Sequence, residues 1–137
     1  MKIFDCFMFF DEEMILDLRF NILDQYVDFF VIVESRYLQN GKERELVFDI
    51  NKYEKFKNKI IYLIFDEIPS KIEVINDDDD EGQKSRKYIM NAIYRENGQR
   101  NYILNGLNNA DDNDMIIISD LDEIPNLENV NFEKIRN

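Results

Sequence analysis

A chain of 137 residues, 45% hydrophobic and 13% aromatic, has enough apolar mass for one packed domain and too little length for two independent cores. It contains no His and a single Cys, which excludes internal disulfides, thiolate metal clusters and imidazole chemistry and leaves metal or proton chemistry to carboxylates. A net charge of -12 argues against nucleic acid and anionic membranes as partners, and an anionic ligand would need a divalent cation or a local basic patch.

The chain opens with an apolar, strand-like run over residues 3–10, in which Cys6 reads as a buried small hydrophobe. Asp5 interrupts the run and Asp11, Glu12 and Glu13 follow it, unlike a secretory signal. No stretch is long and clean enough to span a membrane, so the expectation is a soluble, cytoplasmic chain. A helix is predicted over residues 12–26, with Met14, Ile15, Leu18, Ile22 and Tyr26 as its core-facing stripe. Residues 27–33 (VDFFVIV), 60–65 (IIYLIF) and 115–118 (MIII) form nearly continuous apolar runs rich in β-branched and aromatic residues. Such runs are typical of strands buried on both faces, hence of a parallel sheet. Helical segments are predicted between them: a short charged one over 51–59 and a long one over 84–109 carrying Ile89, Ile93, Ile103, Leu104 and Leu107. Strand alternating with helix is the α/β signature. The acid run NDDDDEG (76–82) reads as a solvated loop neutralised by Lys84, Arg86 and Lys87, because its spacing is not that of a calcium loop. No linker rich in Gly, Pro or Ser divides the chain, so residues 1–137 are expected to form a single domain.

The sharpest signal is IIISDLDEIP at 116–125. A strand ends and delivers Asp120 and Asp122, one residue apart, where ligands bind in open α/β sheets. Two carboxylates so spaced can share one hard cation, which takes phosphate oxygens as further ligands. The chain carries its own control, since Asp66 to Pro69 repeats Asp-Glu-Ile-Pro after another strand but has Ile64 where the second copy has Asp120. Half of the motif is therefore how this chain leaves a strand, and the metal reading rests on the paired Asp. Arg100 lies on the predicted apolar stripe of the long helix, where an arginine needs an anion. That anion is either a protein carboxylate such as Asp120 or Glu34, or a ligand phosphate. Glu34 and Ser35, at the end of VIVES, would bind a nucleoside or cap the next turn.

Together the blocks KIFDCFMFFDE (2–12), LDLR (16–19), VIVES (31–35), QRNYILNGL (99–107) and IIISDLDEIP (116–125) resemble glycosyltransferase family 17, which includes enzymes that transfer N-acetylglucosamine. The resemblance runs from Lys2 to Pro125. It implies an α/β fold of GT-A (Rossmann-like) type, with a mostly parallel sheet flanked by helices. It further implies a UDP-GlcNAc donor, a glycan acceptor and a divalent metal, manganese or magnesium. Asp120 and Asp122 match the family's Asp-x-Asp (DxD) motif, which makes Asp122 a metal ligand and Asp120 a ligand of metal or ribose. Glu34 and Arg100 match family positions and are placed by analogy on the nucleoside side and at the phosphates. Glu12 and Arg19 match the opening helix block and are expected to pair with each other.

Family members continue well beyond the DxD motif, and an inverting transfer needs a general base and an acceptor surface. The chain therefore reads as the N-terminal part of a GT-A domain truncated after that motif, with a partner as one possible source of the C-terminal half. Two alternatives stand beside a working transferase: a catalytically inactive nucleotide-sugar-binding remnant or subunit, and a haloacid-dehalogenase-type phosphatase, which also places Asp-x-Asp after a strand.

Overall fold

The computed structural model describes residues 1–135; the last two residues of the expected domain lie outside the described ones. Four strands, β1 (Ile3–Phe9), β2 (Phe29–Ser35), β3 (Ile60–Phe65) and β4 (Met115–Ile118), form one sheet in the order β3-β2-β1-β4, and every neighbouring pair is parallel. The α/β class with a parallel sheet is thus as expected. β1 and β2 lie centrally and are nearly wholly buried, which accounts for their unbroken apolar character.

Alternation along the strands sorts their side chains into two cores. Ile3, Phe7 and Phe9 of β1 join Phe30 and Ile32 of β2 on one face. There they meet the helix α1 (Glu13–Leu23) and a kinked 3-10 segment, Ile50–Lys59. Phe20 is the hub of this core, with ring centroids 4.8 Å from Phe30, 5.1 Å from Tyr53 and 5.2 Å from Phe56. Each such aromatic pair adds about 0.5–1.5 kcal/mol beyond area burial. Phe4, Cys6, Val31 and Val33 point to the other face, beneath a short 3-10 turn, Tyr102–Gly106, that follows the helix α2 (Glu81–Asn101). A last short helix, α3, spans Phe132–Ile135.

Two predicted helix faces are right only in part: Ile15 and Tyr26 of the first stripe and Ile103 and Leu107 of the second pack on the cores, and the other members face outward. In α1 the buried residues are Leu16, Arg19, Phe20 and Leu23, while Met14, Leu18 and Ile22 of the expected stripe are 83%, 49% and 41% exposed. The helix is apolar around most of its girth, so periodicity alone does not choose the inner face; the deep Phe20 pocket does. The long helix stops at Asn101, well short of residue 109, and Ile89 and Ile93 face outward. It packs instead through Asn91, Gly98 and Gln99. A Cβ on Gly98 would lie 2.8 Å from the Phe65 ring, so glycine lets the helix approach β3 closely. Gln99 then donates its amide to the Val33 carbonyl at 2.9 Å. Asn91 exchanges hydrogen bonds with the Glu73 backbone and so pins the connection from β3. In the acid run, Asp80 caps α2 through a reciprocal bond with Gln83, and Asp79 pairs with Lys87 at 2.7 Å.

Candidate functional site

The carboxyl ends of β1 and β4 open into a cleft of about 430 Å³ lined by Met8, Phe10, Glu12, Glu96, Asp120 and Asp122. The chain runs outward from β1 to β2 and β3 on one side and returns to place β4 on the other, and the reversal of strand order between β1 and β4 leaves such a crevice at their carboxyl ends. Both aspartates of the motif are exposed in it, whereas Leu121 between them is buried and anchors the loop to the core below α1. The donor set is two hard oxygen ligands, and among the described residues no third acid comes close enough to complete a metal site. These residues fit a divalent cation that takes its remaining ligands from a bound phosphate and water.

The loop bearing the two aspartates is fixed from beneath by Arg19. Its guanidinium donates to both oxygens of Asp5 at 2.8 Å, and both side chains are fully buried. The remaining N–H groups reach the carbonyls of Asp120 (2.8 Å) and Leu121 (2.9 Å) and the hydroxyl of Ser119 (2.6 Å). The guanidinium also lies 4.7 Å over the ring of Phe7, the geometry of a cation–π contact. One residue of α1 thereby ties β1 to the motif. On the loop itself, the Glu123 carboxylate accepts from the Asp120 N–H at 3.3 Å, and the Glu123 N–H donates to the Asp120 carbonyl at 3.0 Å. The expected pairing of Glu12 with Arg19 does not occur. Glu12 instead accepts from the N–H groups of Phe10 and Asp11 and closes the turn after β1. Arg19 was legible in principle as a charge between Leu16, Phe20 and Leu23, and Asp5 as an acid inside an apolar strand.

Arg100 is half-exposed rather than on the buried face, and its guanidinium bridges Glu96 at 3.1 Å and Asp120 at 3.2 Å. An exposed pair of this kind is worth about 0–1 kcal/mol, so a ligand phosphate can compete for the arginine at little cost. Glu34 is fully buried at the end of β2 with both oxygens in use. Oε2 pairs with Arg44 at 3.0 Å and accepts from Val47 N–H at 2.8 Å. Oε1 accepts from Tyr62 at 2.7 Å and from Phe48 N–H at 3.1 Å. Burial, reinforced by the bond to Glu34, holds the Tyr62 phenol well above its ordinary range. Arg44 donates onward to the Ser35 and Phe10 carbonyls and sits 5.7 Å from the Phe10 ring. In this structure Glu34 therefore reaches the cleft through Arg44 and Phe10. Ser35 accepts from the Tyr37 N–H at 3.0 Å, which caps the turn after β2.

The model of glycosyltransferase family 17 matches residues 1–136. The chain belongs to that family. Similar curated relatives are the β-1,4-mannosyl-glycoprotein 4-β-N-acetylglucosaminyltransferases of Homo sapiens and Rattus norvegicus, each 29% identical over 125 residues, and that of Mus musculus, 28% identical over the same length. Each match covers 88% of this chain and 21% of the relative, so the chain spans about a fifth of the length of these proteins. No solved structure matches. Family membership sets the dehalogenase-type phosphatase aside. Among the described residues, no helix is long and apolar enough to cross a membrane.

Proposed function

We propose that this chain forms the donor side of a family 17 glycosyltransferase and binds UDP-GlcNAc through a divalent cation, manganese or magnesium, held by Asp120 and Asp122. The observation that carries the reading is the exposed pair of aspartates at the end of β4, in a cleft that also holds Glu12 and Glu96. Four carboxylates repel a diphosphate unless a cation intervenes. Asp122 ligates the cation, and Asp120 shares it or contacts ribose. Arg100 leaves its exposed pairing with Asp120 for the phosphates once the aspartate is taken up by metal. A cation in this place neutralises the charge that develops on the departing diphosphate. Arg19 keeps the loop in register throughout, because its bonds run to backbone carbonyls and leave both carboxylates free. The acceptor is a glycan, and transfer with inversion is the reaction implied by the family.

Calorimetric titration of UDP-GlcNAc tests this with manganese, with chelator, and with Asp122→Asn. Binding should require the metal and vanish in the variant. Metal-independent binding, or an unaffected variant, would sink the cation role. Absence of binding by a folded protein would leave only the ancestry. A second reading, binding without transfer, is separated by following UDP release with and without glycan acceptor.

A further inference from the structure

A second cavity of about 500 Å³, shallow and open to solvent and lined by Phe10, Leu38, Gln39 and Asn40, adjoins the acidic cleft, and the two share Phe10 and Gln39 as a common wall. Their chemistry differs sharply. The cleft carries four carboxylates, whereas the side chains of the second cavity are an aromatic ring, an aliphatic chain and two neutral amides. A ligand that spans both needs an anionic, metal-binding end and an uncharged end with apolar faces and hydrogen-bonding edges.

The wall between them is rigidly held. Phe10 is the residue after β1. Its carbonyl accepts from Arg44, and the same guanidinium stands at one face of its ring, 5.7 Å from the centroid. Arg44 is itself fixed by buried Glu34. The facing turn is equally constrained. Leu38 and Lys42 are bonded across it, Gly41 adopts φ 86°, and Arg95 of α2 donates to the Gln39 carbonyl at 2.9 Å. A Cβ on Gly41 would lie 2.5 Å from the Arg95 guanidinium, so the turn and the helix interlock. The Phe10 ring and the backbone of the turn are thus held beside the aspartates, and the Asn40 amide oxygen accepts from the Lys42 N–H at 3.0 Å with its amide nitrogen left to the surface, which lowers the ordering cost of binding.

We propose that this second cavity is the nucleobase subsite of the donor site, with the base stacked on Phe10 and its edge hydrogen-bonded by Gln39 and Asn40. Glu34 then serves as a positioning residue that acts through Arg44. An aromatic face stacks any base, and a side-chain amide carries both a donor and an acceptor, as the edge of a neutral base requires. The inference rests on the donor-site reading above.

Its test compares UDP with inorganic pyrophosphate, and with UDP-GlcNAc as a further probe, each titrated with manganese into the wild type, Phe10→Leu, Gln39→Ala and Asp122→Asn, with folding checked by circular dichroism. Phe10→Leu should weaken UDP by roughly tenfold or more, the scale of one base stack, and leave pyrophosphate unchanged. Gln39→Ala should follow the same pattern more weakly, while Asp122→Asn abolishes both. UDP binding unaffected by Phe10→Leu and Gln39→Ala, or a parallel loss for UDP and pyrophosphate, overturns the subsite alone. A loss for UDP-GlcNAc but not for UDP would assign the cavity to the sugar and also overturns it. Failure of the wild type to bind any of these probes with manganese would remove the donor site itself and this subsite with it.

Discussion

Replacing Arg19 with Met keeps the bulk of the side chain and removes its five donors. Asp5 would then be a carboxylate with no exposed surface and neither of its two 2.8 Å bonds, and the carbonyls of Asp120 and Leu121 would lose their partner. Breaking one side of a buried ion pair costs about 3–5 kcal/mol, because the survivor is left charged and dry. A chain of this length has an unfolding entropy of about 0.29 kcal/mol/K, so that loss lowers the melting temperature by about 10–17 °C. Against a total stability of about 5–15 kcal/mol, the variant should still fold at low temperature. The double variant Asp5→Leu/Arg19→Met removes both charges and should recover at least half of the loss, since apolar replacement of a buried pair is often neutral. It should not recover manganese-dependent UDP-GlcNAc binding, because the loop carbonyls remain unheld. Thermal unfolding and calorimetry on the three proteins separate these effects. A single variant less than about 1 kcal/mol below wild type, or a double variant that binds as tightly as wild type, would refute the assignment of Arg19 as the anchor of the motif.

Other consequences are open to direct measurement. Glu34→Gln leaves Arg44 without its anion and should cost about 2–4 kcal/mol in denaturant unfolding. In the native protein the Tyr62 phenol is held high by burial first and its bond to Glu34 second. The stability this group contributes is therefore fully present below about pH 10 and lost as pH rises further. Phenolate absorbance should appear at lower pH in the variant than in the wild type. Burial, with the neighbouring Asp5 charge adding to it, pushes the Cys6 thiol up to about 12. Aromatic disulfide reagents at neutral pH should find no reactive thiol in the folded protein and one equivalent after unfolding. Gly41→Ala meets both a positive φ and the Arg95 guanidinium. It should cost about 1–2 kcal/mol and weaken UDP more than pyrophosphate, which chemical unfolding and calorimetry would register.

The strands were readable because continuous apolar runs such as FFVIV and IIYLIF leave a chain this acidic little choice but a doubly covered sheet. The place of Asp120 and Asp122 was readable for a related reason: a strand that ends in paired acids puts them at the carboxyl edge. Helix faces were less so. Met14, Leu18 and Ile22 are spaced as well as Leu16, Phe20 and Leu23, and only the volume between α1 and the sheet decides which set goes in. α2 defeats an apolar stripe altogether, since it packs through a glycine and two amides whose partners are distant carbonyls. The polar frame was the hardest part. A buried arginine does need an anion, but the rule applies at Arg19 rather than at Arg100, and its partner lies 14 residues away in the opposite element.

Under the proposed donor-site reading, that frame explains how a cleft with four carboxylates holds its shape before a cation arrives. Left to themselves, Asp120 and Asp122 would move apart, and a mobile loop would then have to be ordered by the ligand. Tying the loop by its carboxylates would consume the groups a cation needs. Arg19 avoids both outcomes by bonding to the carbonyls of Asp120 and Leu121 and directing its charge at Asp5, below the loop. Arg100 has the complementary disposition. Its pairing with Asp120 is exposed and therefore weak, and it offsets the acidity of the cleft while remaining free to leave. A permanent anchor on the backbone and a displaceable partner on the side chain are what a site needs if it is to be ordered in advance and yet open to a metal-bound diphosphate.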